Sequence, residues 1–379
     1  MEPKKQRVSA TRMVAGGSAA MLFLTALAGL PVAASASTPA EAPVISVNPS
    51  KDADRLPGVP ASSWILIDAD TGDVLASKDP HRKLPPASTI KTLTAVTLMP
   101  HLEPDSTFAA TLQDVNQPGT RIGLYAGKSN KVHDLFAGMM MNSGNDAASA
   151  LANAVGGWDR ALGLMNEEAA RLGANATVAE TPNGLDRHGQ VTTAADLATI
   201  FRAAIKMPEL LKIMQTKTMS AQTVDGRRIS LYNHNKMLQL NYPGHLGAKT
   251  GTTSMAGKTV VSAFKRDGRT LIVALMRYGG TMERASKLLY DWGFENADKV
   301  TPVEQLPTAG PRPQVQRRPA LQVTQEGSPE SGQDELLAAV SAPVEEEPGG
   351  ASSTVILLVA LMAAGGAGYV VLRARRPRS

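Results

Sequence analysis

Ser88 and Lys91 stand three residues apart at the start of an apolar, helix-patterned run that follows Pro85-Pro86-Ala87. Positions three apart on a helix share a face, so the Lys91 amine can reach the Ser88 hydroxyl. A serine hydroxyl is a poor nucleophile until a neighbouring base takes its proton. A lysine serves as that base only when burial or nearby cations depress its pKa. Two further motifs could act beside this pair. Ser143-Gly144-Asn145 lies between helical runs at 135–141 and 146–155, with Gly144 expected to permit a turn that aims both neighbours into a cleft. Ser143 could relay a proton to a leaving amine, and Asn145 could hold a substrate amide. Lys249-Thr250-Gly251 precedes a β-hairpin and is expected to end an inner strand. Lys249 and the Thr250 hydroxyl could bind a carboxylate, Lys249 would lower the Lys91 pKa, and Gly251 would admit a substrate backbone.

Each motif alone is weak, as the chain itself demonstrates. Ser262-Ala263-Phe264-Lys265 repeats the Ser-x-x-Lys spacing, but on a strand pattern, where positions three apart face opposite sides. Ser46-Val47-Asn48 repeats Ser-x-Asn near the N-terminus. The three chosen motifs differ from these in their contexts.

The elements that must position them follow from periodicity. Residues 64–68 and 73–77 flank Asp70-Thr71-Gly72 as a hairpin, and 258–266 and 269–276 flank Asp267-Gly268 as a second. Residues 284–292 have a helical pattern. Between these β-rich ends, helices are expected at 88–98, 135–155, 158–172 and 193–206, the last with Thr193 and Asp196 as a capping box. Strands first and last with helices between imply an α/β fold of the α+β kind. Its antiparallel sheet joins both ends of the chain and carries an inserted all-helical subdomain. A cleft between the two lobes is the expected site.

The composition, 43% hydrophobic and 19% charged, is globular. The net charge of +5 is concentrated at the termini, in Lys4, Lys5, Arg7 and Arg12 and in Arg373, Arg375, Arg376 and Arg378. No basic patch interleaved with aromatics suggests nucleic acid. The chain has no cysteine, which excludes disulfides, thiolate metal sites and cysteine catalysis. Six scattered histidines form no metal-ligand cluster, and the reaction above needs neither metal nor cofactor. Nothing in the sequence sets an oligomeric state.

Residues 1–36 have a basic leader, an apolar stretch and the small-residue exit Ala34-Ser35-Ala36, the pattern of a signal peptide cleaved after Ala36. Residues 37–60 are expected to be an exported leader, 61–299 the catalytic domain and 300–353 a Pro-rich tether. The tether would have a root-mean-square span of roughly 40 Å. The uncharged run 354–372 would reach about 28 Å as a helix, close to the thickness of a bilayer core. With the basic tail 373–379 behind it, this predicts a C-terminal transmembrane helix with the catalytic domain outside the cell.

Taken together, in this order and at these spacings, the three motifs resemble the penicillin-binding-protein and serine β-lactamase superfamily. Within it, residues 60–296 are similar to the low-molecular-mass D-alanyl-D-alanine carboxypeptidases. Asn142-Ser143-Gly144-Asn145-Asp146-Ala147-Ala148 is the most telling stretch, supported by Asn183-Gly184-Leu185-Asp186 and 287–294. The resemblance implies a β-lactamase/transpeptidase-like fold with a five-stranded antiparallel sheet flanked by helices. It implies that Ser88 attacks the penultimate D-alanine carbonyl of peptidoglycan stem peptides, with Lys91 as general base and Ser143 passing the proton to the leaving amine. The N–H groups of Ser88 and Thr252 would form the oxyanion hole. Lys249, Thr250 and Arg284 would hold the substrate carboxylate, and β-lactam antibiotics would acylate Ser88. A β-lactamase is a rival, but no Glu-x-x-Leu-Asn context lies between Ser143 and Lys249. A D,D-endopeptidase or transpeptidase would use the same residues. A non-catalytic peptidoglycan-binding module would be expected to carry a damaged motif, and all three are intact.

Overall fold

Side chains alternate across the three long strands and so build a separate core on each face of the sheet. The computed structural model describes residues 42–322 except residue 224, together with the backbone of 360–363 and 366–369. In chain order the first elements are β1 (Ile45–Val47), β2 (Ala61–Asp68), β3 (Asp73–Lys78), α1 (Lys91–Leu98), β4 (Thr107–Ala109), α2 (Leu112–Val115), β5 (Ser129–Lys131) and α3 (Val132–Met141). Then come α4 (Asn145–Ala154), α5 (Trp158–Leu172), α6 (Ala194–Ala204), α7 (Pro208–Gln215), β6 (Thr218–Gln222), β7 (Arg228–Tyr232) and α8 (Lys236–Gln239). The described domain closes with β8 (His245–Thr253), β9 (Gly257–Arg266), β10 (Arg269–Tyr278), α9 (Met282–Asn296) and β11 (Glu304–Gln305).

The central sheet runs β1-β3-β2-β10-β9-β8, antiparallel throughout, with β11 also on β3. Its five principal strands are those expected; β1 and β11 add two short ones on the β3 edge. Ile65, Ile67, Val261, Ala263, Ile272, Ala274 and Met276 face the helical lobe. Trp64, Leu66, Val260, Phe264, Leu271, Val273 and Leu275 face the other way, toward α9. Burial on both faces explains why β9 and β10 read as nearly continuous apolar runs. Ser262 lies within β9 and is buried against Tyr290, whereas Lys265 is exposed. The second Ser-x-x-Lys is therefore structural.

Three expectations change. Residues 37–60 are not merely a leader, because β1 pairs with β3, Pro49 bridges Val300, and Asp54 accepts from the Trp292 indole. Residues 300–321 do not belong to a free tether. After β11, Leu306 is buried, Gly310 bonds the Arg171 carbonyl, Arg312 and Arg317 pair with Glu168 and Glu209, and Leu321 bonds the Ala154 carbonyl. The packed domain thus runs further in both directions than 61–299. Finally, two short strands, β12 (Ala360–Ala363) and β13 (Gly366–Tyr369), pair in antiparallel fashion where a transmembrane helix was expected. Among the described residues no helix is long and apolar enough to cross a membrane. Residues 1–36, most of the tether and the rest of 354–379 lie outside the described residues.

Candidate active site

The site begins with a strained turn. Residues 87–90 form a 3-10 turn that runs directly into α1. In such a turn side chains at i and i+3 eclipse, which stacks Ser88 over Lys91. Ala87 enters it at φ 50°, in the left-handed region, at a cost of about 1–2 kcal/mol. Close packing holds that conformation. A Cβ at Gly184 would lie 2.1 Å from the Ala87 carbonyl oxygen, and one at Gly251 would lie 2.6 Å from the Ser88 nitrogen. Thr259 and Thr89 both donate to the Pro86 carbonyl, at 2.9 and 2.6 Å. The glycine of Lys249-Thr250-Gly251 therefore admits the backbone of the chain's own Ser88 turn, a role beyond the substrate approach expected for it.

Lys91 is fully buried, and its Nζ has three neighbours. These are Ser88 Oγ at 2.9 Å, Asn145 Oδ1 at 2.7 Å and the Asn183 carbonyl at 2.7 Å. Burial, and after it the Lys249 charge, hold the Lys91 ammonium well below the ordinary lysine value, while Asp146 acts in the opposite direction. A neutral amine has two hydrogens and one lone pair. Both carbonyl oxygens can only accept, so they take the hydrogens and leave the lone pair for Ser88. The Asn145 orientation is fixed independently, since its Nδ2 donates to the Pro118 carbonyl at 2.6 Å. Asn145 is thus buried and already bonded at both amide atoms. It orients Lys91, a role added to the substrate-amide contact expected for it.

Ser143 lies between α3 and α4 as expected, but the turn is made differently. Ser143 itself takes the left-handed conformation, at φ 61°, while Gly144 has an ordinary φ of −58°. Glycine is needed at 144 for space: a Cβ there would meet Asp146 Oδ1 and Ile122 Cγ2, each at 2.9 Å. Across the cleft, Lys249 Nζ donates to Ser143 Oγ and to the Thr250 carbonyl, both at 2.9 Å. Lys249 is buried, and burial brings its pKa down to about 7. Its strand, β8, is an edge strand of the sheet and not the inner strand expected.

The site is therefore a group of two hydrogen-bonded sets, Ser88–Lys91–Asn145 and Ser143–Lys249, each with one lysine–serine pair. Thr250 is half-buried beside Lys249, and Thr252 is exposed, with its hydroxyl bonded to the Gly251 carbonyl at 2.8 Å. Arg284 lies apart from the group, exposed in the first turn of α9, with no hydrogen bond or ion pair to any of these residues. Three residues were not read as functional in the sequence. Asn183 lends its carbonyl to Lys91. Asp186 fastens the same loop to the end of β8 through Thr253 Oγ1 (2.6 Å) and the Met255 N–H (3.1 Å). His234, whose N–H bonds the Met141 carbonyl, has its pKa lowered by burial and then by Lys249. Asn183 and Asp186 both lie in the stretch Asn183-Gly184-Leu185-Asp186, which carried part of the resemblance.

The model of the D-alanyl-D-alanine carboxypeptidase family matches residues 50–279. D-alanyl-D-alanine carboxypeptidase DacB2 of Mycobacterium tuberculosis is 40% identical over 246 residues, covering 63% of this chain and 84% of that protein. DacC of Escherichia coli is 34% identical over 266 residues, and the match covers 65% of this chain but only 64% of that protein. Among solved structures, a D-alanyl-D-alanine carboxypeptidase from M. tuberculosis superposes with a TM-score of 0.64 at 38% identity, covering 69% of this chain and all (100%) of that one. A Streptomyces DD-transpeptidase superposes with a TM-score of 0.60 at 26% identity, covering 64% of this chain and 100% of that one.

Proposed function

Since this chain belongs to the D-alanyl-D-alanine carboxypeptidase family and is one of its hydrolases, we propose that it removes the terminal D-alanine of peptidoglycan stem peptides through an acyl-enzyme on Ser88. The observation that carries this reading is the buried Lys91 Nζ, 2.9 Å from Ser88 Oγ and held by the Asn145 and Asn183 carbonyl oxygens, an arrangement that in the neutral amine leaves the lone pair to Ser88.

In the first half-reaction the Ser88 hydroxyl proton passes to Lys91 as Oγ attacks the penultimate D-alanine carbonyl. The oxyanion forms against the N–H groups of Ser88 and Thr252, a stabilisation whose loss typically costs about 100-fold in rate. The close approach of Gly251 to the Ser88 backbone supports that pairing. Ser143, bonded to Lys249, gives its hydroxyl proton to the departing D-alanine amine and takes in its place the proton that Lys91 received. Lys249 and the Thr250 hydroxyl hold the substrate carboxylate. Arg284 is the third carboxylate partner, and its exposed guanidinium has no ion pair among the described residues. Water then takes the place of the amine, attacks the acyl carbonyl and restores Ser88. A β-lactam follows the first half only and stays on the serine.

The same reading sets the enzyme outside the cytoplasm. Residues 1–36 have the pattern of an export signal, and the apolar run 354–372 with its basic flank supports membrane association.

Incubation with benzylpenicillin followed by peptide mass mapping tests the acyl-enzyme. A single penicilloyl adduct on the peptide containing Ser88 is expected. An unmodified protein, or an adduct on the peptide containing Ser262, would sink it.

A further inference from the structure

Asp146 follows Asn145 in the first turn of α4 and is fully buried. Its carboxylate accepts four backbone N–H groups. Oδ1 takes those of Ile122 and Ala147, both at 2.9 Å; Oδ2 takes those of Gly123 at 2.9 Å and Leu124 at 3.2 Å. Three of the four belong to the loop 117–124. The same loop supplies both carbonyls that grip Asn145: Pro118 accepts from Nδ2 at 2.6 Å, and Thr120 accepts from the backbone N–H at 2.7 Å. Asp146 has no ion pair among the described residues, and Gly144 lacks a side chain where one would strike its Oδ1. A buried carboxylate left without a cation is costly unless its lone pairs are filled, and here the loop fills them.

We infer that Asp146 is a positioning residue: it locks the 117–124 loop onto Asn145 and thereby aims the Lys91 amine at Ser88. The inference rests on Lys91 as the base proposed above. The chain of contacts runs from Asp146 to the loop, from the loop to Asn145, and from Asn145 to Lys91. Every link is a hydrogen bond of 3.2 Å or less.

Charge gives this role a signature. The charged groups facing Lys91 are Lys249 on β8, which lowers its proton affinity, and Asp146 on α4, which raises it. Removing the Asp146 charge leaves Lys249 unopposed. The acid limb of the acylation profile then moves to lower pH. A residue that merely supports the fold would change the rate without moving that limb.

The test is the second-order rate of acylation by benzylpenicillin across pH, for the full chain and two variants. Asp146→Asn turns an amide donor toward loop N–H groups. It is expected to acylate about 10- to 100-fold more slowly, as misplaced reacting groups do, with its acid limb displaced to lower pH. Gly123→Ala leaves the carboxylate intact; the added methyl meets no atom within 4 Å but must adopt φ 88°. That strain loosens the loop and slows acylation about fivefold, with the limb where the wild type has it. An Asp146→Asn rate or limb equal to that of the wild type overturns the inference, and so does an unchanged rate in Gly123→Ala. Should circular dichroism show Asp146→Asn unfolded, the Gly123→Ala rate decides alone. A wild-type protein that is not acylated at all would instead remove the Ser88 reading, so the two failures are distinct.

Discussion

Lys91 and Lys249 are both buried, and each is bonded to a serine hydroxyl, yet their surroundings prepare them for opposite tasks. The Lys91 hydrogens are claimed by carbonyl groups, and two effects depress its proton affinity, so it is suited to receive a proton. Lys249 spends two donors on Ser143 and Thr250 and keeps a third for the cleft. Burial alone lowers it, to about 7, so its charge is present below that pH and lost above it. Since a substrate carboxylate needs the charged form, kcat/KM for a D-Ala-D-Ala peptide should fall as pH rises through about 7. In the proposed mechanism the acid side is governed by Lys91, which must be neutral to act as the base. A guanidinium stays charged throughout this range. Lys249→Arg should therefore have lower activity but lose the alkaline fall. An alkaline limb unchanged in Lys249→Arg would assign that limb to another group.

At the scale of elements, the Ser88 turn is held from three sides: by Gly184, by Gly251 on β8, and by α1, which is buried along its whole length. Far from the cleft, residues 300–321 form a strap. It joins the sheet edge at β3 to α5 through Gly310 and Arg312, to α7 through Arg317, and to the end of α4 through Leu321. Burying the Leu306 side chain contributes about 1.5–3 kcal/mol. A chain ending at Lys299 should therefore unfold at lower urea than one ending at Gln322, and the latter should match the full chain. Equal midpoints for the two truncations would mean that the strap is passive. The long elements were legible in the sequence because their signals are local. The Asp267-Gly268 hairpin, the 158–172 helix and the shared face of Ser88 and Lys91 all follow from periodicity and turn chemistry, although Ser88 lies in a 3-10 turn and not in the α-helix expected from residue 88. The hairpin of β6 and β7 also had an Asp-Gly signal, at Asp225-Gly226, but its strands are buried on one face only and are short. The strap was misread because proline density resembles a linker; only tertiary contacts at Leu306, Gly310 and Ala320 show otherwise. The roles of Gly144 and Gly251 were equally out of reach. Both glycines make room for a neighbour from another element, and no local pattern encodes that.

At the scale of the whole molecule, the proposed place of the chemistry rests on the two ends of the sequence. The excess positive charge is concentrated near the termini, beside the two apolar runs, and the catalytic domain between them carries no comparable bias. A protein truncated at Gly350 should be secreted in soluble form and stay active, while the full chain sediments with membranes. Membrane retention of the truncated form would transfer anchoring to the N-terminal segment. The domain's two cores meet at the sheet, and the nucleophile turn lies where the sheet, the helical lobe and the 183–186 loop converge. All of the geometry there is directed at one serine. The most direct test is to incubate the protein with a pentapeptide ending in D-Ala-D-Ala and measure free D-alanine. Release by the wild type, with loss of about a thousandfold or more in Ser88→Ala, is the expected result. Release that survives in Ser88→Ala, or none from a folded wild type, would contradict the account.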